Sequence, residues 1–166
     1  MTLHRRQRGQ TLVEFALVLP IFLLGVFALI DGSRLVYLSS TLSQAAREGA
    51  RQASVEGSWI GSADASCGAT AGPICPATVD ALGSHVVTAV NRMMVPFGSI
   101  ASEGVALRCD ATTPPTGTWT GKTCSSKTNG SLVSVRVTFT FTALTPVIGQ
   151  ILGTLSLSGS ATMVMD

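Results

Sequence analysis

The stretch Arg8-Gly-Gln-Thr-Leu-Val-Glu-Phe-Ala-Leu-Val-Leu-Pro-Ile-Phe-Leu-Leu-Gly-Val-Phe-Ala-Leu-Ile30 decides the fold. From Phe15 to Ile30 every residue is apolar, Gly or Pro, and Glu14 is the only charge between Arg8 and Asp31. These sixteen residues, or nineteen counted from Leu12 across the glutamate, rise roughly 24–28 Å as an α-helix, close to a hydrocarbon core of about 30 Å. Arg5, Arg6 and Arg8, with His4, precede the run, while Asp31 and Arg34 beyond it cancel. Basic residues are retained on the cytoplasmic side, so the N-terminus is expected inside and residues from about 31 onward outside. The remaining chain then reads as one modest domain hung outside a membrane on this helix.

A carboxylate inside such a run needs a reason. At mid-bilayer it costs on the order of 2.5–3.5 kcal/mol, which makes Glu14 a functional candidate. It lies only two residues into the segment, so snorkelling to the interface at lower cost is the plainer alternative. The neighbouring residues point to a sharper one. Gly9 followed by Gln10-Thr-Leu-Val-Glu14-Phe15 resembles the processing site of type IV pilin-like precursors, and Glu followed by Phe is similar to the Flp/Tad branch. Farther on, Ala45-Ala-Arg-Glu-Gly-Ala-Arg51 resembles the end of the conserved block of TadE-like pseudopilins. The resemblance covers roughly residues 8–53, with a weaker echo in the C-terminal strands.

That likeness implies a prepilin peptidase cutting after Gly9, so that Gln10 becomes the first residue of the mature chain and Glu14 the fifth. It implies other pilins or pseudopilins, an inner-membrane assembly platform and a secretion ATPase as partners. The expected organisation is a prepilin leader at 1–9, a transmembrane helix with its extracytoplasmic extension at 10–54, and an extracytoplasmic pilin-like domain at 55–166.

The rest of the chain, taken in order, predicts an α+β domain. Pro20 removes one backbone hydrogen bond and should bend the helix, a defect that a membrane helix tolerates. No breaker follows until Gly57. Beyond the apolar run Leu35, Leu38, Leu42, Ala45 and Gly49 recur at three- and four-residue steps, the period of a helix with one apolar face. Glu48 and Arg51 are spaced for an i,i+3 pair. Ala45, Ala46, Gly49, Ala50 and Ala53 make a narrow face that admits a close neighbour, either the domain's own sheet or a second pilin-like helix. After a Gly-, Ser- and Ala-rich loop at 55–76, a second helix is expected from Pro76, with Val79, Leu82, Val86, Val90 and Met93 as its apolar stripe. Val105–Cys109 reads as a short strand and residues 110–130 as a long loop or hairpin around Trp119.

The clearest strand follows: Val133, Val135, Val137, Phe139 and Phe141 alternate with Ser134, Arg136, Thr138, Thr140 and Thr142, one apolar face and one polar. Pro146 and Gly149 mark a return, with a short helical turn at 147–152. Leu155, Leu157, Gly159, Ala161, Met163 and Met165 then alternate to the end. The expected architecture is pilin-like: a long N-terminal helix packed on a small, mainly antiparallel sheet, with a second helix alongside.

Composition narrows the function. Charged residues are 12% of the 166, and the mean hydropathy is +0.44. Three of eleven Lys and Arg fall in the first nine residues, leaving eight against nine Asp and Glu. No basic field invites nucleic acid. Cys67, Cys75, Cys109 and Cys124 all follow the apolar run, on the side where disulfides persist. Four cysteines allow three pairings, and the shortest loops close at least entropic cost, giving Cys67–Cys75 and Cys109–Cys124. Their spacings are not those of zinc ligands, so no metal is expected. With His4 and His85 the only histidines, and no nucleophile elbow, phosphate loop or dinucleotide fingerprint, neither an enzyme nor a cofactor is expected.

The leading expectation is a minor pilin or pseudopilin in Flp/Tad-type pilus assembly, serving surface attachment. It would sit in the inner membrane as a single pass with its domain outside. The alternative is an exported binding protein with a signal peptide or a simple membrane anchor. Ala28 and Gly32 offer such a peptide only a poor cleavage site.

Overall fold

The computed structural model describes residues 4–57, 60, 78–110, 113–124, 128, 130–146, 149–150 and 153–165. Its elements run α1 (His4–Glu56), α2 (Val79–Met94), a single 3-10 turn (Ser102–Gly104), β1 (Val105–Asp110), β2 (Lys122–Cys124), β3 (Leu132–Phe141) and β4 (Leu155–Val164). This is the α+β arrangement expected, a long N-terminal helix with a second helix and a small four-stranded sheet. The chain divides into two compact units, Met1–Val36 with Thr142–Leu155, and Tyr37–Phe141 with Ser156–Asp166.

Helix α1 is 53 residues long and carries Pro20 inside it, a length of about 80 Å. It begins at His4, within the stretch expected as the prepilin leader. Arg and Gln are good helix formers, and one Gly costs about 1 kcal/mol without stopping a helix. It ends at Glu56, just before Gly57.

In the second unit the small-residue face of α1 is buried. Leu38, Ala45, Ala46, Ala50 and Ala53 have no exposed surface and Leu42 almost none. A Cβ added at Gly49 would stand 3.0 Å from Val90 Cγ2 and 3.2 Å from both Val86 Cγ1 and Val135 Cγ1. The face at Gly49 is therefore filled by α2 and β3 of the same chain.

Helix α2 starts at Val79, with Thr78 as its N-cap accepting a hydrogen bond from the Ala81 amide at 3.2 Å. Threonine satisfies an otherwise orphan N–H there, so the helix needs no proline in its first turn. Pro76 lies outside the described residues. Leu82, Val86, Val90 and Met94 are fully buried, whereas Met93 is 41% exposed. The stripe thus ends one residue later than its spacing predicts, where the Phe97 amide turns back to the Met94 carbonyl at 2.8 Å. Met94 points inward as the chain leaves the helix. Gly83 is also buried: a Cβ there would lie 2.4 Å from Lys122 Cδ.

The sheet order is β2-β1-β3-β4. β1 pairs antiparallel with β3, setting Val105, Leu107 and Cys109 opposite Val137, Val135 and Val133, all of them buried. Ser134 Oγ meets Thr162 Oγ1 at 2.8 Å and the Met165 amide donates to Ser131 at 2.8 Å, so β3 and β4 also run in opposite directions. β2 departs from expectation. It lies within the stretch read as a loop or hairpin, yet pairs parallel with β1, Cys109 opposite Cys124, where a hairpin would have made the pair antiparallel. Those two cysteines form a disulfide with Cα atoms 4.3 Å apart, which holds a three-residue strand in place. Cys67 and Cys75 lie outside the described residues.

The polar face of the sheet is covered in part. Trp119 is buried beneath Arg108, whose guanidinium lies 5.9 Å from the ring centre. Arg136 reaches from the same face to the Gly117 carbonyl at 2.7 Å and to Ser158 Oγ at 3.1 Å. On the other face, a Cβ at Gly159 would stand 2.6 Å from Leu42 C and O and 2.8 Å from Ser43 N. The missing side chain lets the backbone of α1 rest directly on β4.

Candidate membrane-spanning and assembly site

Between Gln10 and Ile30 every residue of α1 is exposed. Successive helical residues step about 100° around the axis, so four in a row cover the circumference. Ile21, Phe22, Leu23 and Leu24 are 73%, 63%, 41% and 50% exposed. No stripe faces a core. A helix apolar all round belongs in a deep core or a membrane, and here no part of the most apolar window, of mean hydropathy 2.6, is buried by protein. Within the described residues, this helix is long and apolar enough to cross a membrane.

The residues singled out in the sequence fall into two separate groups. Gly9, Gln10, Glu14 and Phe15 follow one another along the first turns of α1, with Arg5, Arg6 and Arg8 just before them. Gln10 Nε2 donates to Glu14 Oε1 at 3.4 Å, both side chains exposed. Position 10 and the carboxylate therefore share one face, as their spacing of four requires. Phe15 is 63% exposed and held by nothing in the chain's core. The second group, Ala45, Ala46, Gly49 and Ala50, is spent inside the domain.

Two polar arrangements were missed in the sequence. In the sequence Asp31 reads as half of a cancelling pair with Arg34, whose Nη1 lies 3.7 Å from Asp31 Oδ1. In the structure Asp31 is only 4% exposed and its carboxylate accepts from the Leu144 amide at 3.1 Å, the Thr145 amide at 3.4 Å and Thr145 Oγ1 at 2.6 Å. The acid that closes the apolar run thus holds the start of a helical turn in which the Gly149 amide donates to the Thr145 carbonyl at 2.9 Å. A carboxylate suits the orphan amides at such a start. The available signal was Thr145-Pro146, a capping residue followed by a proline suited to a first helical position.

The other arrangement joins the two helices. Glu56, 6% exposed, meets His85 Nδ1 at 2.7 Å through Oε2, and Gln52 donates to its Oε1. Thr88, Ala89 and Arg92 complete an open groove of about 250 Å³ around them. Nearby, Arg51 grips Glu48 with bonds of 2.9 and 2.6 Å, and this hydrogen bonding holds the Glu48 carboxyl below its ordinary range. Among the described residues no cluster of three or more His, Cys, Asp and Glu is gathered to hold a metal ion.

With that geometry in hand, the comparison with known families is specific. The family described as TadE-like protein matches residues 9–51. This segment is similar to TadE-like proteins. The match begins at Gly9, runs through Glu14, the exposed apolar helix and Asp31, and ends at Arg51 with the small-residue block. TadE-like proteins are associated with Flp/Tad pilus systems and are structural rather than catalytic. No curated protein and no solved structure matches the chain.

Proposed function

We propose that the chain is a minor pilin or pseudopilin that enters or initiates a Flp/Tad-type pilus. The observation that carries this reading is the TadE-like match beginning at Gly9, with a carboxylate five positions on, at the head of an apolar run exposed on all sides. In this reading a prepilin peptidase cuts between Gly9 and Gln10, and residues 10–34 hold the product in the inner membrane. Arg5, Arg6 and Arg8 keep the N-terminus cytoplasmic, and residues 35–166 lie outside. Partner pilins, an inner-membrane platform and a secretion ATPase complete the apparatus, whose use is surface attachment.

Cleavage gives Gln10 a new α-amine, largely cationic at neutral pH. Glu14, one helical turn away, compensates it on its own chain or on a neighbouring subunit. In a low-dielectric setting that attraction exceeds its value in water, less the cost of desolvating both groups. The scissile bond lies within α1, and Gly9 is where the helix opens at least cost while admitting close approach of a peptidase backbone.

The test has two halves. N-terminal sequencing of the mature protein should begin at Gln10, and Gly9→Val should leave the precursor in the membrane. Glu14→Ala and Glu14→Gln should be cut normally, stay in the membrane and lose co-assembly with partner pilins. A mature chain starting near residue 33 would make it a secreted protein instead, and one starting at Met1 a plain anchored domain. If Glu14→Ala assembles at parental levels, the carboxylate is only an interfacial residue.

A further inference from the structure

Residues 142–154 join β3 to β4, where an antiparallel pair needs only about two to five connecting residues. A surface loop of this length is ordinarily polar. Here the sequence carries no charge at all between Arg136 and Asp166, and the connection includes Leu144, Val147, Ile148, Ile151 and Leu152. Leu144 is 70% exposed and Leu155, at its end, 38%. Thr142–Leu155 falls in one compact unit with Met1–Val36, which holds the apolar part of α1.

Asp31 fixes the depth at which this happens. It is the first residue after Ile30, so the carboxylate stands about 1.5 Å along the axis from the last apolar position. Among the described residues of the connection, its three hydrogen bonds go to Leu144 and Thr145. Leu144 is thereby held at the level where α1 leaves its apolar run.

We propose that Leu144, with Ala143 and Thr145 on either side of it, is a second membrane contact, seated at the headgroup–acyl boundary of the leaflet through which α1 emerges. The inference rests on reading residues 15–30 as the membrane span. Lipid is the occupant favoured because the exposed leucine adjoins a surface already suited to lipid, with no charge to oppose its entry. Four described amides of the connection are already paired. In a membrane, unpaired amides are costly. Asp31 takes the two N–H groups of Leu144 and Thr145, and the Gly149 and Gly153 amides donate to Thr145 and Gly149, each at 2.9 Å. Burying a carboxylate beside a bilayer gains meaning if it satisfies donors that lipid cannot. Interfacial elements of this kind sink about 5–10 Å into the boundary.

The full-length protein reconstituted in phosphatidylcholine vesicles tests this by tryptophan quenching. Leu144→Trp and Leu29→Trp each replace an exposed leucine, so neither disturbs a core. Acyl chains brominated near the headgroup, or deep near the methyl end, act as quenchers, and the parent protein gives the baseline from Trp59 and Trp119. The added emission of Leu144→Trp should be lost to shallow bromines much more than to deep ones, while Leu29→Trp is quenched by lipid as a residue of the span. If Leu29→Trp is quenched and Leu144→Trp is not, the connection faces water or protein and the inference is overturned. Equal or stronger quenching of Leu144→Trp by deep bromines overturns it too. If neither is quenched, the span reading itself has failed and takes this inference with it.

Discussion

Gly159→Ala is the sharpest probe of how the helix meets the sheet. The new Cβ would lie 2.6 Å from the carbonyl carbon and oxygen of Leu42 and 2.8 Å from the Ser43 amide nitrogen, against a comfortable separation of about 3.5–4.0 Å. The layers must therefore part by about 1 Å. The obstructing atoms are helix backbone and cannot rotate aside. Overpacking of this sort costs about 1–3 kcal/mol, and the upper end applies because Leu42, Ala45 and Ala46 beside the contact are already fully packed. Replacing a strand glycine returns about 0.5–1 kcal/mol of chain entropy. The net loss is about 2 kcal/mol, or a Tm lower by about 4–8 °C at 2–4 °C per kcal/mol for a chain of this size. Thermal unfolding of the full-length protein in detergent, followed by circular dichroism, measures it. Gly49→Ala is the comparison: its Cβ meets only valine methyls, at 3.0–3.2 Å, and gains about 1 kcal/mol of helix propensity. It should lose less than half as much. An unchanged Tm for Gly159→Ala, or a larger loss for Gly49→Ala, would refute the packing described.

Asp31→Asn keeps the shape but removes the charge and one acceptor. With charge-assisted hydrogen bonds worth about 1.5–3 kcal/mol, amide exchange at Leu144 and Thr145 should quicken about tenfold or more, and unchanged exchange would show that the carboxylate holds nothing there. Replacing Cys109 and Cys124 together by serine should cost about 3 kcal/mol by the chain-entropy estimate, read as a lower Tm of the full-length protein under non-reducing conditions. Glu48 supplies a pH prediction. Its carboxyl is depressed by Arg51, so its contribution is present above the ordinary carboxylate range and is lost as pH falls through the depressed value. The pair is partly exposed, so Glu48→Gln should cost at most about 0.5 kcal/mol near neutral pH. That difference should vanish in acid, and a difference that grows in acid would reverse the sign.

What was legible in the sequence was what depends on periodicity. The apolar run, the stripe from Leu38 to Ala53 and the alternation of β3 and β4 each follow from one residue's neighbours along the chain. What was hidden depends on pairs distant in sequence. Asp31 looks like a charge balanced by Arg34 three residues on, and only the return of Leu144 and Thr145 to its side turns it into an acceptor site. Glu56 and His85 likewise meet across 29 positions. The parallel pairing of β2 was illegible because three residues carry no period, and the disulfide rather than an apolar pattern fixes their place. Gly159 kept the alternation of its strand, and nothing local distinguishes a glycine that admits a helix from one that merely loosens a strand. In the candidate site, Gly9, Gln10, Glu14 and Phe15 stand out in the sequence because they follow one another along a single helix.

The disulfide has a consequence for the timing of maturation. β2 is the border of the sheet beyond β1, and it offers three residues, too few to stay paired by backbone bonds alone. Before Cys109 and Cys124 are oxidised, the outer rim of β1 is an open row of amides and carbonyls, the kind of template on which a foreign strand can grow. Oxidation shuts that rim. A chain made in a reducing compartment therefore carries a sticky border until it reaches an oxidising one, and the same bond that finishes the sheet ends its vulnerability to mispairing with its neighbours.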